Sequence, residues 1–321
     1  MAFLKNININ FVDKTKYAFM ISGILIVSGI ISLIYKGGPS LSIDFTGGHQ
    51  IQITKYIDSN NNGKWDDDEE PYEINIADVR NEFIKENIKD IEIKIIGAPH
   101  TIAITIPPLK PSLTDENPYI YIHRILKKVI SAYNEEASEA IGPKIGSELK
   151  SDAFKAIGIA LILITIYISF RFDRFYAYGS LAALVHDMLI TLGIFSILDI
   201  PLSLKIVAAF LTILGYSLND TIVVFDRLRE TKDKYSGDPI DDIINKSLNA
   251  TLNRTIITSF TTLLAVTTLF VFGGSVLKDF AFALIIGVIV GTYSSVFIAS
   301  PVMKYFEIRK KDTEEYLEEG V

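Results

Sequence analysis

FAFALIIGVIVGTYSSVFIASPVM, Phe280–Met303, runs for 24 residues without a charge. A bilayer core of about 30 Å is crossed by about 20 helical residues, so this stretch is long enough to span one. Thr255–Val276 and Tyr17–Tyr35 are runs of the same kind, and so is Phe175–Leu198 but for His186 and Asp187. Ala153–Phe170 and Leu204–Phe225 complete a set of six, with Lys155 close enough to an end to snorkel. Overall composition does not show this, because 49% apolar residues in a chain of 321 suits a globular protein equally well. The arrangement decides the class: a polytopic α-helical membrane protein with six transmembrane helices. With no cysteine, disulfides, thiol nucleophiles and thiolate metal sites are excluded. No G-x-x-x-x-G-K-[ST] occurs, which argues against a P-loop ATPase. Tyr17–Tyr35 is longer than a usual signal-peptide core and no A-x-A site follows, so it is expected to stay as an anchor.

Lysine and arginine near the span ends set the orientation. With the N-terminus inside, fifteen basic residues fall on the cytoplasmic side, against two (Lys205 and Lys278) in the short outside loops. Both termini are therefore expected in the cytoplasm of a cell whose plasma membrane holds the chain. The expected division is a cytoplasmic N-terminus and first helix (1–35), an extracytoplasmic segment (36–150), helices two to six (151–303) and a charged cytoplasmic tail (304–321). Sequons starting at Asn219, Asn245, Asn249 and Asn253 then lie inside or within the membrane and read as chance.

The outside segment Lys36–Lys150 carries 19 acidic and 13 basic residues, nearly all of the chain's net charge of −7. Its pattern is mixed. His49–Ile57 reads as a strand, with Gln50, Gln52 and Thr54 alternating against Ile51 and Ile53. Ile76–Glu86 reads as a helix capped by Asn75, Ile91–Ile96 and Thr101–Ile106 as strands joined at Gly97-Ala98-Pro99, and Asn117–Glu136 as a second helix. The order β-α-β-β-α belongs to an α/β ferredoxin-like layer. Within it, the run Asp58 to Glu69 matches D-x-[DN]-x-[DN]-G-x5-E at every defined position. That spacing suits Ca²⁺ bound by Asp58, Asn60, Asn62, the Lys64 carbonyl, Asp66 and a bidentate Glu69, with Gly63 at the turn. Strands flank it rather than helices, so an acidic, solvated hairpin loop is the competing reading. No other cofactor is called for.

Charged groups also sit where a bilayer disfavours them. His186 and Asp187 fall in the middle of span three; Asn219 and Asp220 fall in span four, ahead of Asp226. Burying an ionisable group there costs at least ~2.5–3.5 kcal/mol, so such groups face a bundle interior and mark ion or substrate paths. Arg254, at the mouth of span five, is expected on the same side as the end of span four. An arginine that pairs with Asp220 and releases it on protonation is the minimal part list of a proton-coupled switch. Taken alone, Arg254 also fits a positive-inside anchor, and His186 fits a hydrogen-bonded core histidine better than a metal ligand. The cluster Asp226, Arg227, Arg229 and Glu230 reads as an interfacial charge network. Asp238 as N-cap, Pro239 at N1, and Ile240, Ile243, Ile244, Leu248 and Leu252 describe an amphipathic helix on the inner face. Gly287-x-x-x-Gly291 favours close helix packing.

Several motifs recur in one order: Ile43-Asp-Phe-Thr-Gly-Gly48, Gly142-Pro-Lys-Ile-Gly-Ser-Glu-Leu149, His186-Asp187, Gly215-Tyr-Ser-Leu-Asn-Asp-Thr-Ile-Val-Val-Phe-Asp-Arg227, and Asn253-Arg254-Thr255 with Thr258-Ser259. In these the chain resembles the SecF family of protein-export membrane proteins, across residues 17 to 303. The resemblance implies a six-helix half of an RND-like bundle that works with SecD beside a SecYEG-type channel. It implies use of the proton motive force, or sodium in some members, to draw a secreted preprotein outward, with no enzymatic step and no nucleic acid. It also gives Asp220 the role of the intramembrane acid and Arg254 that of its partner. The Asp58–Glu70 insertion departs from the family's usual outer domain, and the lysine- and isoleucine-rich composition suits an archaeal member. The competing classes are a stand-alone RND-type exporter of lipid or small molecules, commonly with twelve spans and two outer loops, and an intramembrane hydrolase using His186-Asp187, for which a nucleophile or metal set is lacking.

Overall fold

The computed structural model describes residues 8–59, 65–66, 69–88, 91–109 and 116–318. In chain order the elements are α1 (Phe11–Tyr35), α2 (Ile43–Thr46), β1 (Gly48–Lys55), α3 (Ile76–Lys85), β2 (Glu92–Ile95), β3 (Thr101–Ile106), α4 (Pro118–Val129) and β4 (Tyr133–Ile141). Then come α5 (Pro143–Arg171), α6 (Arg174–Ile197), α7 (Leu204–Lys234), α8 (Ile240–Phe272), α9 (Gly274–Ser294), a π-helical turn (Ser295–Ala299) and α10 (Ser300–Glu318). They divide into two compact units, Leu41–Ala153 and Met1–Ser40 with Phe154–Val321.

In the α/β unit the strand order is β2-β3-β1-β4, antiparallel throughout. With α3 and α4 between strands, this is the complete ferredoxin-like β-α-β-β-α-β layout. Alternation builds its core: Ile51 and Ile53 of β1 and Ile102, Ile104 and Ile106 of β3 meet Val79 and Phe83 of α3 and Ile122, Ile125 and Leu126 of α4. Side-chain caps start both helices where expected, Asn75 accepting from the Ala77 N–H and Asn117 from the Tyr119 N–H. One expectation is corrected. The second helix ends at Val129, and Glu135 and Glu136 belong to β4, which pairs with β1. Glutamates and alanines favour a helix locally, but the open edge of β1 offers a ladder of backbone hydrogen bonds, and the ladder prevails.

Among the described residues, six helical stretches are long and apolar enough to cross a membrane: α1, α5, α6, α7, α8 and Val276–Arg309, which joins α9, the π turn and α10. Each of the six expected spans falls on one of them, except that the fifth, Thr255–Val276, ends early: α8 stops at Phe272 with Gly273 as its C-cap. α6, α7 and Val276–Arg309 are the inner ones, while α1, α5 and α8 turn most of their apolar surface outward. Glycines set the closest approaches. A Cβ on Gly29 of α1 would stand 2.6 Å from Gly193 Cα of α6. Gly287 and Gly291 of α9 pack against α7, where added Cβ atoms would come within 2.2 Å of Ile213 and 3.0 Å of Ser217. That is the close packing expected of small residues four apart.

The amphipathic segment and span five are one continuous helix, α8, because nothing from Leu252 to Thr255 interrupts its hydrogen bonding. Its cap is Pro239, whose carbonyl accepts from the Asp242 and Ile243 N–H groups; Asp238 instead pairs with Lys246. Asn245 and Asn249, whose sequons looked accidental, tie α8 to the start of α1. The Asn249 amide exchanges two 2.8 Å hydrogen bonds with the Ile9 backbone, and Asn245 Oδ1 accepts from the Phe11 and Val12 N–H groups.

Candidate functional site

Asp187 is fully buried in α6. Its Oδ2 accepts from Ser217 Oγ of α7 at 2.6 Å and from Ser294 Oγ of α9 at 2.8 Å. Its Oδ1 lies 2.9 Å from Nδ1 of His186. The other ring nitrogen, His186 Nε2, is 2.8 Å from Ser22 Oγ on α1, which in turn meets the Tyr293 hydroxyl at 3.1 Å. Tyr293 then donates to the Ala18 carbonyl at 2.7 Å. Hydrogen-bonded groups thus run from α1 through α6 to α7 and α9. The histidine is the hydrogen-bonded core residue that its surroundings favoured.

Asp220 lies three residues after Ser217 on the same face of α7 and is 2% exposed. Ser259 of α8 approaches its Oδ2 at 3.5 Å, a long hydrogen bond, and also meets Thr292 of α9 at 2.6 Å and the Tyr216 hydroxyl at 3.2 Å. Thr258, one residue before Ser259, donates to the carbonyls of Arg254 and Thr255, both at 3.0 Å, on its own helix. Among the described residues, no ion pair within 4.0 Å joins Arg254 to Asp220, and Arg254 is exposed. Asn219, next to Asp220 in sequence, is exposed as well. The two acids therefore occupy adjacent layers of the helical unit, both among hydroxyl groups, with Ser217 between them. At the end of α7 the expected charge network is present: Asp226 pairs with Arg171 at 2.8 Å and Arg229 at 3.6 Å, and Arg227 with Glu230 at 3.0 Å.

Ser22, Ser217, Tyr293 and Ser294 were not singled out in the sequence. A signal existed for two of them, since Thr292-Tyr293-Ser294-Ser295 is the polar interruption of span six.

In the α/β unit, Asn60, Asn62 and Lys64 of the calcium-loop pattern lie outside the described residues. Glu69 is buried, and its two oxygens accept from the backbone N–H groups of Ser59 at 3.0 Å and Asp66 at 3.2 Å. It closes its end of the loop through protein contacts. Among the described residues no group of three or more His, Asp or Glu is placed to hold a metal ion.

The model of the C-terminal part of SecD/SecF protein export membrane proteins matches residues 121–309. A protein translocase subunit SecF from Calditerrivibrio nitroreducens is 40% identical over 312 residues, covering 95% of this chain and 96% of that one. The chain belongs to the SecF family. The Escherichia coli O157:H7 SecF is 36% identical over 288 residues, 88% of this chain and 83% of that one. The crystal structure of SecDF, a translocon-associated membrane protein from Thermus thermophilus, aligns with a TM-score of 0.81 at 32% identity, covering 95% of this chain. This chain spans only 39% of that SecDF chain. Family membership makes the protein a multi-pass membrane component of Sec-dependent protein export.

Proposed function

We propose that this chain is one half of an export motor whose other half is SecD. An ion gradient, with protons as the coupling ion, drives movements that help a secreted preprotein outward beside a SecYEG-type channel. The chain does this without an enzymatic step. In this arrangement both termini face the cytoplasm and the α/β unit lies outside. Asp220 is the coupling acid, Arg254 its charged counterpart, and His186 and Asp187 the supporting polar layer. Asn219, exposed beside the buried Asp220, is where SecD's helices would pack.

The observation that carries this reading is Asp220 itself, 2% exposed in a membrane helix, approached by the Ser259 hydroxyl and, among the described residues, in no ion pair with a cation. A bare carboxylate there costs at least ~2.5 kcal/mol. A charge moving through 100 mV of membrane potential delivers about 2.3 kcal/mol. Gaining and losing a proton at Asp220 is thus an event of the size that one ion's fall can drive. Substituting Asp220→Asn keeps shape and hydrogen bonding while removing the proton cycle. The variant should insert, assemble with SecD and fail to stimulate export in energised vesicles; normal stimulation would take Asp220 out of the mechanism.

A further inference from the structure

Four polar contacts run in series from α6 to α1 and α9. Asp187 Oδ1 lies 2.9 Å from His186 Nδ1, and His186 Nε2 lies 2.8 Å from Ser22 Oγ. Ser22 Oγ lies 3.1 Å from the Tyr293 hydroxyl, which donates to the Ala18 carbonyl at 2.7 Å. A hydrogen bond needs one hydrogen between its two heavy atoms, so four contacts need four hydrogens. Ser22 and Tyr293 have one hydroxyl hydrogen each, and neither hydroxyl has another hydrogen-bond partner among the described residues. The Ala18 carbonyl has none to give, so two must come from His186 and Asp187. A neutral imidazole beside an ionised carboxylate holds only one. The pair therefore carries one hydrogen more, either as imidazolium with carboxylate or as imidazole with carboxylic acid.

Burial asks for the same thing independently. Asp187 is fully buried and His186 nearly so. Among the described residues, the other partners of the Asp187 carboxyl are the uncharged hydroxyls of Ser217 and Ser294. With a neutral histidine beside it, ionised Asp187 would be a lone charge within the bilayer, at a cost of at least ~2.5 kcal/mol. With the additional hydrogen the pair is neutral overall in either arrangement.

We infer that the His186–Asp187 pair is a proton-binding site, separate from Asp220, and that its proton fastens α1 to α6 and α9. Without that proton, three hydrogens serve four contacts. A gap between His186 and Asp187 would set a nitrogen lone pair against a carboxylate, so the gap falls further along, at Ser22, Tyr293 or Ala18. Each of those contacts joins α1 to α6 or to α9. Loss of the proton therefore loosens α1. The site stands whether or not Asp220 is the coupling acid, and its test reads the proton rather than export.

The test is nuclear magnetic resonance of the full chain in lipid bilayers, with labelled histidine nitrogens and labelled aspartate carboxyls. His49→Gln, His100→Gln and His123→Gln, all in the α/β unit, leave His186 as the one histidine. Asp187→Asn identifies the Asp187 carboxyl signal by its loss. At about pH 8, where an ordinary histidine is neutral, the two ring nitrogens and the Asp187 carboxyl should bear two hydrogens in total. A total of one overturns the site. Tyr293→Phe removes the last two contacts, so Ser22 is free to donate to His186 Nε2 and the additional hydrogen has no contact to fill. Its titration should move down by about one pH unit, a tenfold loss of proton affinity. Ser22→Ala, which removes the middle two contacts, should act in the same direction. An unchanged titration in both variants overturns the link to α1.

Discussion

Removing the two serines that serve Asp187 measures how much the buried polar layer holds the helices together. Ser217→Ala and Ser294→Ala each delete one donor to Oδ2, leaving the other serine in place at 2.8 or 2.6 Å. Hydrogen bonds between membrane helices average ~0.6 kcal/mol and reach ~1.7. Each single variant should therefore lose about 0.6–1.7 kcal/mol. The double variant leaves Oδ2 with neither donor inside a fully buried side chain, and an unsatisfied buried acceptor costs a further ~1–3 kcal/mol. The expected total is about 2–6 kcal/mol, more than the sum of the singles, with a coupling of at least ~1 kcal/mol. Equilibrium unfolding in mixed micelles reads this as a shift of the midpoint at constant slope. Thr165→Ala is the control, because that hydroxyl bonds only its own helix at Leu161 O, and its loss should stay within ~0.5 kcal/mol. A double variant within ~0.5 kcal/mol of the unaltered protein, or one that equals the sum of its singles, would refute the reasoning.

Arg254→Lys keeps the charge but not the planar fork of donors. It should slow gradient-driven export severalfold and Arg254→Ala by roughly tenfold, about 1.4 kcal/mol; full activity in the lysine variant would leave Arg254 an anchor only. In the α/β unit, burial holds the His123 imidazole below the ordinary histidine range, although Glu135, 2.9 Å away, works the other way. Burial also pushes the neighbouring Tyr133 hydroxyl up to about 12. With the folded pKa depressed, the unfolded chain takes the proton first. Stability is therefore present above about pH 6.5 and is lost as pH falls through the folded value. Hydrogen exchange at β4 in the intact protein, corrected for intrinsic rates, should quicken on that acid side, and His123→Gln should flatten the dependence. If the Asp58–Glu69 loop binds Ca²⁺, the ion at a hundred times its Kd should stabilise the protein by about 2.7 kcal/mol. Trp65, the chain's one tryptophan, should report binding by fluorescence. Glu69→Gln should erase both signals; no response up to roughly 10 mM leaves a solvated turn.

What the sequence determined by itself was whatever depends on local order along the chain. Apolar runs of membrane length, three of them free of charge, produced the six spans, and the alternation of Ile51 and Ile53 with Gln50 and Gln52 produced β1. Asn75 and Asn117 placed two helix starts. An acid at position 220 in an apolar helix was legible as a candidate because bilayer cost is a property of the side chain and its depth. Tertiary structure decided the rest. β4 is a strand only because β1 has an open edge beside it. Ser217, Ser294 and Ser22 matter only because α7, α9 and α1 turn those faces toward α6. Asn219 and Asp220 show why such a choice is invisible beforehand. Successive residues of a helix with 3.6 residues per turn point about 100° apart. The packing of α7 against its neighbours therefore buried the acid and left the amide exposed.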